Sequence, residues 1–180
     1  MNANKYTQKS LEAIQEAQAV ATEYGNQQIE QAHLLLALLE TENGLIPQLL
    51  AKMGLTVPSF AAAVKNEVQK LPRVSGSGRE QGKIYVAQDV DKTLNTAESI
   101  AESMKDEFIS VEHLLLALVD CANSSLKHLF QTYRVTREGI LQALSSIRGN
   151  QRVTSDNPEE TYDALKKYGS DLVERARQNK

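Results

Sequence analysis

Two histidines, His33 and His113, begin the same six-residue run, His-Leu-Leu-Leu-Ala-Leu, and imidazole is a common metal ligand. In neither position does the pattern supply what zinc requires, because no histidine or acid lies four residues away on the same helix face in both copies and no cysteine supports them. His128 has no counterpart, since Gln48 occupies the matching position. We therefore expect each repeated histidine to lie in the first turn of a buried helix, packing or capping, and we expect no metal.

A glycine-rich segment, Gly78 to Lys83, resembles a phosphate-binding loop. That motif needs four residues between its glycines and a Ser or Thr after the lysine to reach Mg²⁺. Here three residues separate Gly78 from Gly82, and Ile84 follows the lysine. The segment is expected to be a flexible loop, not a nucleotide site.

The single cysteine, Cys121, ends an apolar run, and its expected role is that of a small structural hydrophobe. A nucleophilic thiol would need a neighbouring base, a third orienting group and a lowered pKa, and the sequence indicates none of these.

Three acids, Asp106, Glu107 and Glu112, cluster between two predicted helices. General acid–base catalysis would need a carboxylate pair in a pocket, which periodicity cannot reveal. On the residues alone we expect a solvated turn, where acids are favourable near the start of the next helix.

Composition excludes several classes of partner. Of the 180 residues 41% are apolar and 24% are charged, and the net charge is −3 with both signs interspersed, so neither nucleic acid nor an anionic membrane is indicated as a partner. The one cysteine fits a reducing compartment. The first residues carry no signal-peptide core, and the run Leu34 to Leu39 is too short to span a bilayer. A soluble cytoplasmic protein is expected.

The apolar pattern is duplicated with a constant offset of 80 residues, and no gap interrupts the match. What recurs is the set of apolar positions, while polar residues change, so the duplicated feature is a core and not an active site. Examples are Ile14, Ala17, Ile29, Leu49 and Phe60, which correspond to Leu94, Ala97, Ile109, Leu129 and Ile140.

Each repeat is predicted to form four helices, which makes the fold all-α. Apolar residues recur at three- and four-residue steps, and glycines or N-cap residues such as Thr56, Ser110 and Thr136 mark the ends. The predicted helices cover 7–24, 34–39, 45–53, 56–70, 89–105, 111–121, 124–133 and 137–147. Residues 1–148 are expected to form one domain, with repeat one at 1–70, a loop at 71–86 and repeat two at 87–148. Residues 149–157 have almost nothing to bury and are predicted to be a linker, and 158–180 a helix leading into another domain.

Several segments, in this order, resemble the amino-terminal domain of ClpB disaggregases, a family whose ClpA and ClpC relatives share the double repeat. They are Tyr6-Thr7-Gln8-Lys9, the twin His-Leu-Leu-Leu-Ala-Leu runs, Leu71-Pro-Arg-Val-Ser-Gly76, Phe108-Ile-Ser-Val-Glu-His113 and the stretch from Ala164 to Ala176. The resemblance covers essentially the whole chain.

The resemblance implies a function. The full protein would be a homohexameric ATPase, using ATP and Mg²⁺, that threads aggregated polypeptides and works with a DnaK-type chaperone system. The present fragment, expected to be monomeric, would lack the ATPase motifs, hold no cofactor and capture unfolded polypeptide without being an enzyme itself. The positions that match the family's substrate-engaging residues are Thr7, Asp106 and Glu112, beside a groove at Ile100, Thr96 and His113. Alanine variants of the first three are expected to fold normally and to bind substrate less well.

Two other hypotheses stay open. The same fold could be the adaptor-docking domain of a ClpC- or ClpA-like protease unfoldase. In a different class, His33 and His113 could serve a small metal-dependent hydrolase.

Overall fold

The computed structural model describes residues 2–41, 44–74, 84–149 and 151–159. It contains eight α-helices, four in each repeat: α1 Gln8–Glu23, α2 Gln31–Glu40, α3 Leu45–Lys52, α4 Val57–Gln69, α5 Gln88–Ser103, α6 Val111–Asp120, α7 Ser124–Thr132 and α8 Arg137–Arg148. The mostly helical fold is confirmed. Two expectations lie outside the described residues: the glycine-rich segment at 78–83 and the helix predicted beyond Glu159.

The helix ends follow from local chemistry. Thr7 Oγ1 accepts a hydrogen bond from the backbone N–H of Ser10 (3.2 Å), and Thr136 Oγ1 accepts one from Gly139 (3.1 Å), so both residues satisfy N–H groups that a first helical turn leaves unpaired. α1 ends before Gly25, whose φ of 71° lies in the left-handed region that glycine adopts without strain. The boundaries predicted from the sequence agree within about three residues.

Helices α2 and α6 form the centre of the molecule. Residues 31–39 and 111–118 are all buried, as expected for helices that are apolar on every side. The two helices contact each other, α1 and α4 cover α2, and α5 and α8 cover α6, giving one continuous core. Within the described part of the chain no single helix is long and apolar enough to cross a membrane, although α2 and α3, bent by 88°, pass that test as a pair.

The repeats interlock through two short backbone pairings that the sequence did not predict. Strand β1, Gln28–Ile29, pairs in parallel with β2, Tyr85–Val86, and Tyr6 pairs in the same way with Ile109. These are equivalent under the 80-residue offset, so the segment preceding the first helix of each repeat pairs with the turn before the second helix of the other. The residues predicted as the end of a loop therefore include a strand.

Candidate functional site

The repeated histidines have the same hydrogen-bond arrangement. The backbone N–H of Ser110 donates to His113 Nδ1 (2.9 Å), which leaves the ring proton on Nε2 to be donated to Asp106 Oδ2 (2.8 Å). In repeat one, His33 accepts from Glu30 and donates to Asn26 at matching distances of 2.8 and 2.9 Å. Each histidine thus ties its helix to the preceding turn, which confirms the capping and packing role.

Ser110, His113 and Asp106 have the residue types of a hydrolytic triad but not its accessibility. Ser110 Oγ lies 3.0 Å from His113 Nδ1, yet the serine is fully buried and the side chains of His113 and Asp106 are both 0% exposed. No substrate atom can approach the hydroxyl in this arrangement. Within the described ranges no group of three or more His, Cys, Asp and Glu side chains is placed to hold a metal ion. This buried cluster can position the helix and the turn before it, and its serine hydroxyl is closed to a ligand.

Among the described acids of repeat two, Asp106 accepts the largest number of hydrogen bonds. Oδ1 accepts from the backbone N–H of Val153 (2.9 Å) and pairs with the guanidinium of Arg148, while Oδ2 accepts from His113. Burial works to raise the pKa of Asp106, but these hydrogen bonds and the charge of Arg148 outweigh it and hold the pKa below its usual range. Burial lowers the pKa of His113, so the imidazole is neutral beside an ionised carboxylate.

Glu112 is buried, and the nearby charge of Arg148 offsets the effect of burial only in part. It is fully inaccessible, and neither carboxyl oxygen has a hydrogen-bond partner in another described residue. Burial, reinforced by the nearby Glu159 carboxyl, raises the pKa of Glu112 to about 8. The expectation of a solvated acidic turn is therefore wrong for Asp106 and Glu112. Only Glu107 of the three acids is exposed.

Residues 151–159, called the strap below, cover this cluster. The strap passes the end of α5, where the backbone N–H of Glu107 donates to the carbonyl of Val153 (2.7 Å). It continues to the start of α1, where Gln8 donates to the carbonyl of Asp156 (2.7 Å) and Thr7 Oγ1 donates to Glu159 Oε1 (2.8 Å). The prediction that this stretch has almost nothing to bury fails at Val153, whose exposure is 0%.

The strap also shows how the predicted site residues are arranged. Thr7, Asp106, Glu112 and His113 lie together beneath it, and all four are buried. Ile100, on α5 one turn before Met104, is 5% exposed. Thr96 is not part of the cluster: it lies one turn before Ile100 on α5, where Cys121 Sγ donates to its hydroxyl (3.2 Å). As the chain is folded, a ligand cannot touch the acids directly.

An open cavity of about 180 Å³ adjoins the cluster. Its walls come from the end of α5, from α8 and from the start of the strap; the lining residues used below are Met104, Leu141, Leu144, Arg148 and Arg152. Among the described residues, Leu141 is one of three large apolar side chains that remain exposed, at 36%. The cavity combines an apolar wall with two guanidinium-bearing residues, which suits part of a polypeptide better than a small charged metabolite.

Sequence reasoning missed Arg148, Val153 and Glu159. The first could have been found from a break in the duplication: Arg148 replaces the buried Val68 of repeat one, and its partner Asp106 replaces Asn26. A coupled appearance of opposite charges at two repeated core positions indicates an ion pair. Val153 gave no such signal, because a single valine among polar residues has no periodicity.

Comparison with known proteins gives the same result at the level of the family. Residues 5–133 match the model of the Clp repeat (R) N-terminal domain. The chaperone protein ClpB of Nitratidesulfovibrio vulgaris is 42% identical over 181 aligned residues, which cover 100% of this chain and 21% of that protein. The chain thus spans about a fifth of the length of the curated relatives it matches.

Solved structures share the fold. The Hsp104 N-terminal domain from Candida albicans superposes with a TM-score of 0.74 at 22% identity, over 86% of this chain and 99% of that one. A ClpV N-domain in complex with a VipB peptide gives a TM-score of 0.61 at 18% identity, over 87% and 91% of the two chains. The double repeat, the matched family model and the ClpB relatives lead to one conclusion: this chain belongs to the Clp N-terminal domain family and is similar to the N-domain of ClpB-type chaperones.

Proposed function

We propose that this chain is the polypeptide-capturing N-domain of an ATP-dependent disaggregase. The observation that carries the proposal is the open cavity beside the Asp106 cluster. Its apolar wall is formed by Met104, Leu141 and Leu144, and Leu141 is 36% exposed. An apolar cavity of about 150 Å³ holds a benzene ring, so this one accommodates one large apolar side chain of an unfolded segment. The peptide bound to the N-domain of the related ClpV supports the same class of ligand.

Capture by such a site is weak and tolerant of sequence. One side chain contributes little buried area, and an unfolded segment loses conformational entropy when it is ordered. Several N-domains on one homohexameric ring would compensate by raising the effective concentration of binding sites. The threading step would belong to ATPase domains that use ATP and Mg²⁺, and a DnaK-type system would supply substrates. Within this assignment the present chain is a binding module and not an enzyme, it acts in the cytoplasm, and alone it is a monomer.

The proposal is tested by NMR chemical-shift perturbation of the isotope-labelled chain on addition of permanently unfolded casein. Shifts are expected at Met104, Leu141 and Leu144 and, beneath them, at Ile100 and Asp106. The variant Leu141→Asp should bind casein about tenfold more weakly, because burying one leucine contributes on the order of 1.5 kcal/mol. Tyr85→Ser is the matched control: its ring is 52% exposed on β2, away from the cavity, and its loss should leave affinity unchanged.

An absence of shifts at high casein concentration would contradict unaided capture. The adaptor-docking function would then become the leading hypothesis, because it needs the same fold and a folded partner in place of an unfolded one. Equal weakening by Leu141→Asp and Tyr85→Ser would instead assign binding to apolar surface in general and would exclude the cavity as the site.

A further inference from the structure

The strap contacts the candidate site in the way that an extended peptide contacts a folded domain to which it binds. At its first anchor the N–H of Val153 donates to Asp106 Oδ1 and its carbonyl accepts from the N–H of Glu107 (2.9 and 2.7 Å). Its side chain is fully buried, although both neighbours along the strap, Arg152 and Thr154, are exposed. One apolar side chain in a pocket, with backbone hydrogen bonds on either side, is the pattern by which extended segments bind to folded domains.

The second anchor lies at the start of α1 and α6. Gln8 donates its backbone N–H to the Asp156 carbonyl (2.7 Å) and its side-chain amide to the Asp156 carboxylate (3.1 Å). Glu159 Oε1 accepts from Thr7 Oγ1 (2.8 Å) and from the backbone N–H of Val111 (3.4 Å). Acids at helix N-termini are favourable, since the first N–H groups of a helix lack partners within it. Thr7 and Asp106, both predicted to engage substrate, are therefore occupied by the strap.

We propose that the strap is an internal ligand of this site, and that an external polypeptide binds fully only after displacing it. This inference rests on the proposed function and deepens it by naming the ligand class. The external segment would be extended, would place a small or β-branched apolar residue where Val153 lies, and would carry a basic residue immediately before it. The equivalent of Arg152 would reach the carbonyl of Met104 at the end of α5, where helix carbonyls favour a cation.

Two features make the strap displaceable. Between its anchors Thr154 and Ser155 are exposed, so only a few side chains hold it down. Its last anchor also brings the carboxyl of Glu159 close to that of Glu112, and one oxygen of Glu159 is buried with no hydrogen-bond partner among the described residues. Placing two acids together in a buried space works against the docked state. A ligand that fills the Val153 position and carries no acid at the position of Glu159 would compete well with the strap.

The test uses the whole 180-residue chain and a fluorescent peptide that repeats residues 150–159. In the wild type the tethered strap outcompetes the free peptide, because tethering keeps its local concentration high. In Val153→Ser the tethered copy loses its apolar anchor. If the strap of the wild type is open for about a tenth of the time, the free peptide should bind this variant about tenfold more tightly. Thr154→Ser, a change at the neighbouring exposed position, should leave the affinity at the wild-type value.

Equal affinity of the peptide for wild type and Val153→Ser would overturn the inference. A thermal unfolding scan accompanies each titration, and if Val153→Ser does not fold, the single variant Asp156→Ala takes its place. It removes the bond from the Gln8 side-chain amide at the second anchor and should change the affinity in the same direction. A peptide with Asp in place of its valine should fail to bind every variant. Binding of that peptide would also contradict the inference, since the Val153 pocket would then not distinguish an apolar side chain from a charged one.

Unfolded casein separates this inference from the proposed function. If casein binds Val153→Ser about tenfold more tightly than wild type and competes with the peptide, both proposals stand. If the peptide binds but casein neither binds nor competes, the strap is an internal ligand and the capture function fails. If casein binds wild type and Val153→Ser equally, the strap is a structural part of the domain and this inference fails while capture stands.

Discussion

Asp106 and Arg148 form an ion pair with side-chain exposures of 0% and 4%, at two positions where repeat one has Asn26 and Val68. Otherwise the two repeats are closely equivalent there, with a histidine donating to the residue seven positions before it in both. Repeat two therefore has a buried charge pair at positions where repeat one has a neutral amide and an apolar side chain. The same oxygen of Asp106 that pairs with Arg148 also accepts the backbone N–H of Val153 in the strap, so the charge pair lies at the strap contact.

Breaking the pair from either side should destabilise the domain. Asp106→Asn or Arg148→Val leaves one charge buried and uncompensated, which costs about 3–5 kcal/mol in the free energy of unfolding. The double variant restores the residues of repeat one and should cost at least about 2 kcal/mol less than the sum of the single changes. Urea unfolding of the four proteins measures this coupling. The half-exposed pair Arg137–Asp120 is the control, with an expected coupling below about 1 kcal/mol. Strict additivity at Asp106 and Arg148 would contradict the prediction.

Much of the fold could be predicted because it depends on local patterns. The two apolar runs determine α2 and α6, and the residues at the helix ends determine where each helix begins. The β1–β2 pairing could not be predicted, since two-residue strands have no periodicity and depend on a partner more than fifty residues away.

The sequence could predict which residues form the candidate site, but it could not predict that they are buried. The resemblance to ClpB identified Thr7, Asp106 and Glu112, and the structure brings them together. Burial beneath the strap depends on Val153, which no pattern indicates. The expectation that alanine variants at these positions fold normally changes accordingly: Thr7 caps α1, and losing such a cap alone costs about 1 kcal/mol.

The central helices should be the least tolerant part of the chain. Leu35 and Leu115 are equivalent under the offset and both are 0% exposed. Leu35→Ala or Leu115→Ala leaves a cavity in the common core and should lower the free energy of unfolding by about 2–5 kcal/mol. Leu141→Ala, at 36% exposure, provides the comparison and should cost less than about 1 kcal/mol. Thermal or urea unfolding measures these differences. A change near zero in the free energy of unfolding for Leu35→Ala and Leu115→Ala would mean that α2 and α6 are not the core.

A backbone position offers a stabilising change. The αL residue that follows α3 is Gly54 (φ 92°), and its equivalent after α7 is Arg134 (φ 58°). An L-residue with a long side chain is strained there, while glycine is not. Arg134→Gly should raise the free energy of unfolding by about 0.5–1 kcal/mol, since relief of strain exceeds the added entropy of the unfolded chain. Arg134→Ala separates strain from loss of the guanidinium and should give no gain. A lower melting temperature for Arg134→Gly would refute the argument.

His33 should make the domain sensitive to acid. Burial lowers its pKa from 6.5 to about 4, so the folded protein keeps it neutral while the unfolded chain takes up a proton. Between pH 6.5 and 4 the unfolded state binds more protons than the folded state. The contribution of His33 to the free energy of unfolding is therefore fully present above pH 6.5 and is lost as the pH falls towards 4. His33→Gln should therefore unfold with a shallower dependence on pH between 6.5 and 4. His128→Gln, at an exposed site on α7, should keep the wild-type slope. Parallel curves for all three proteins would contradict the assignment.

Glu112 should act in the opposite direction at higher pH. Burial raises its pKa from 4.5 to about 8, so between these values the folded protein holds a proton that the unfolded chain has released. The free energy of unfolding then falls as the pH rises from about 4.5 to 8. Glu112→Gln keeps the shape of the neutral acid and cannot ionise, so it should be more stable than wild type at pH 8 and nearly equal to it at pH 4.5. Glu107→Gln, the exposed acid of the same turn, is the matched control and should follow the wild-type curve. Urea midpoints at pH 4.5, 6, 7 and 8 measure the difference between the curves. A Glu112→Gln curve parallel to the wild-type one would mean that Glu112 is ionised in the folded protein, as it would be if a cation or water reached it beneath the strap.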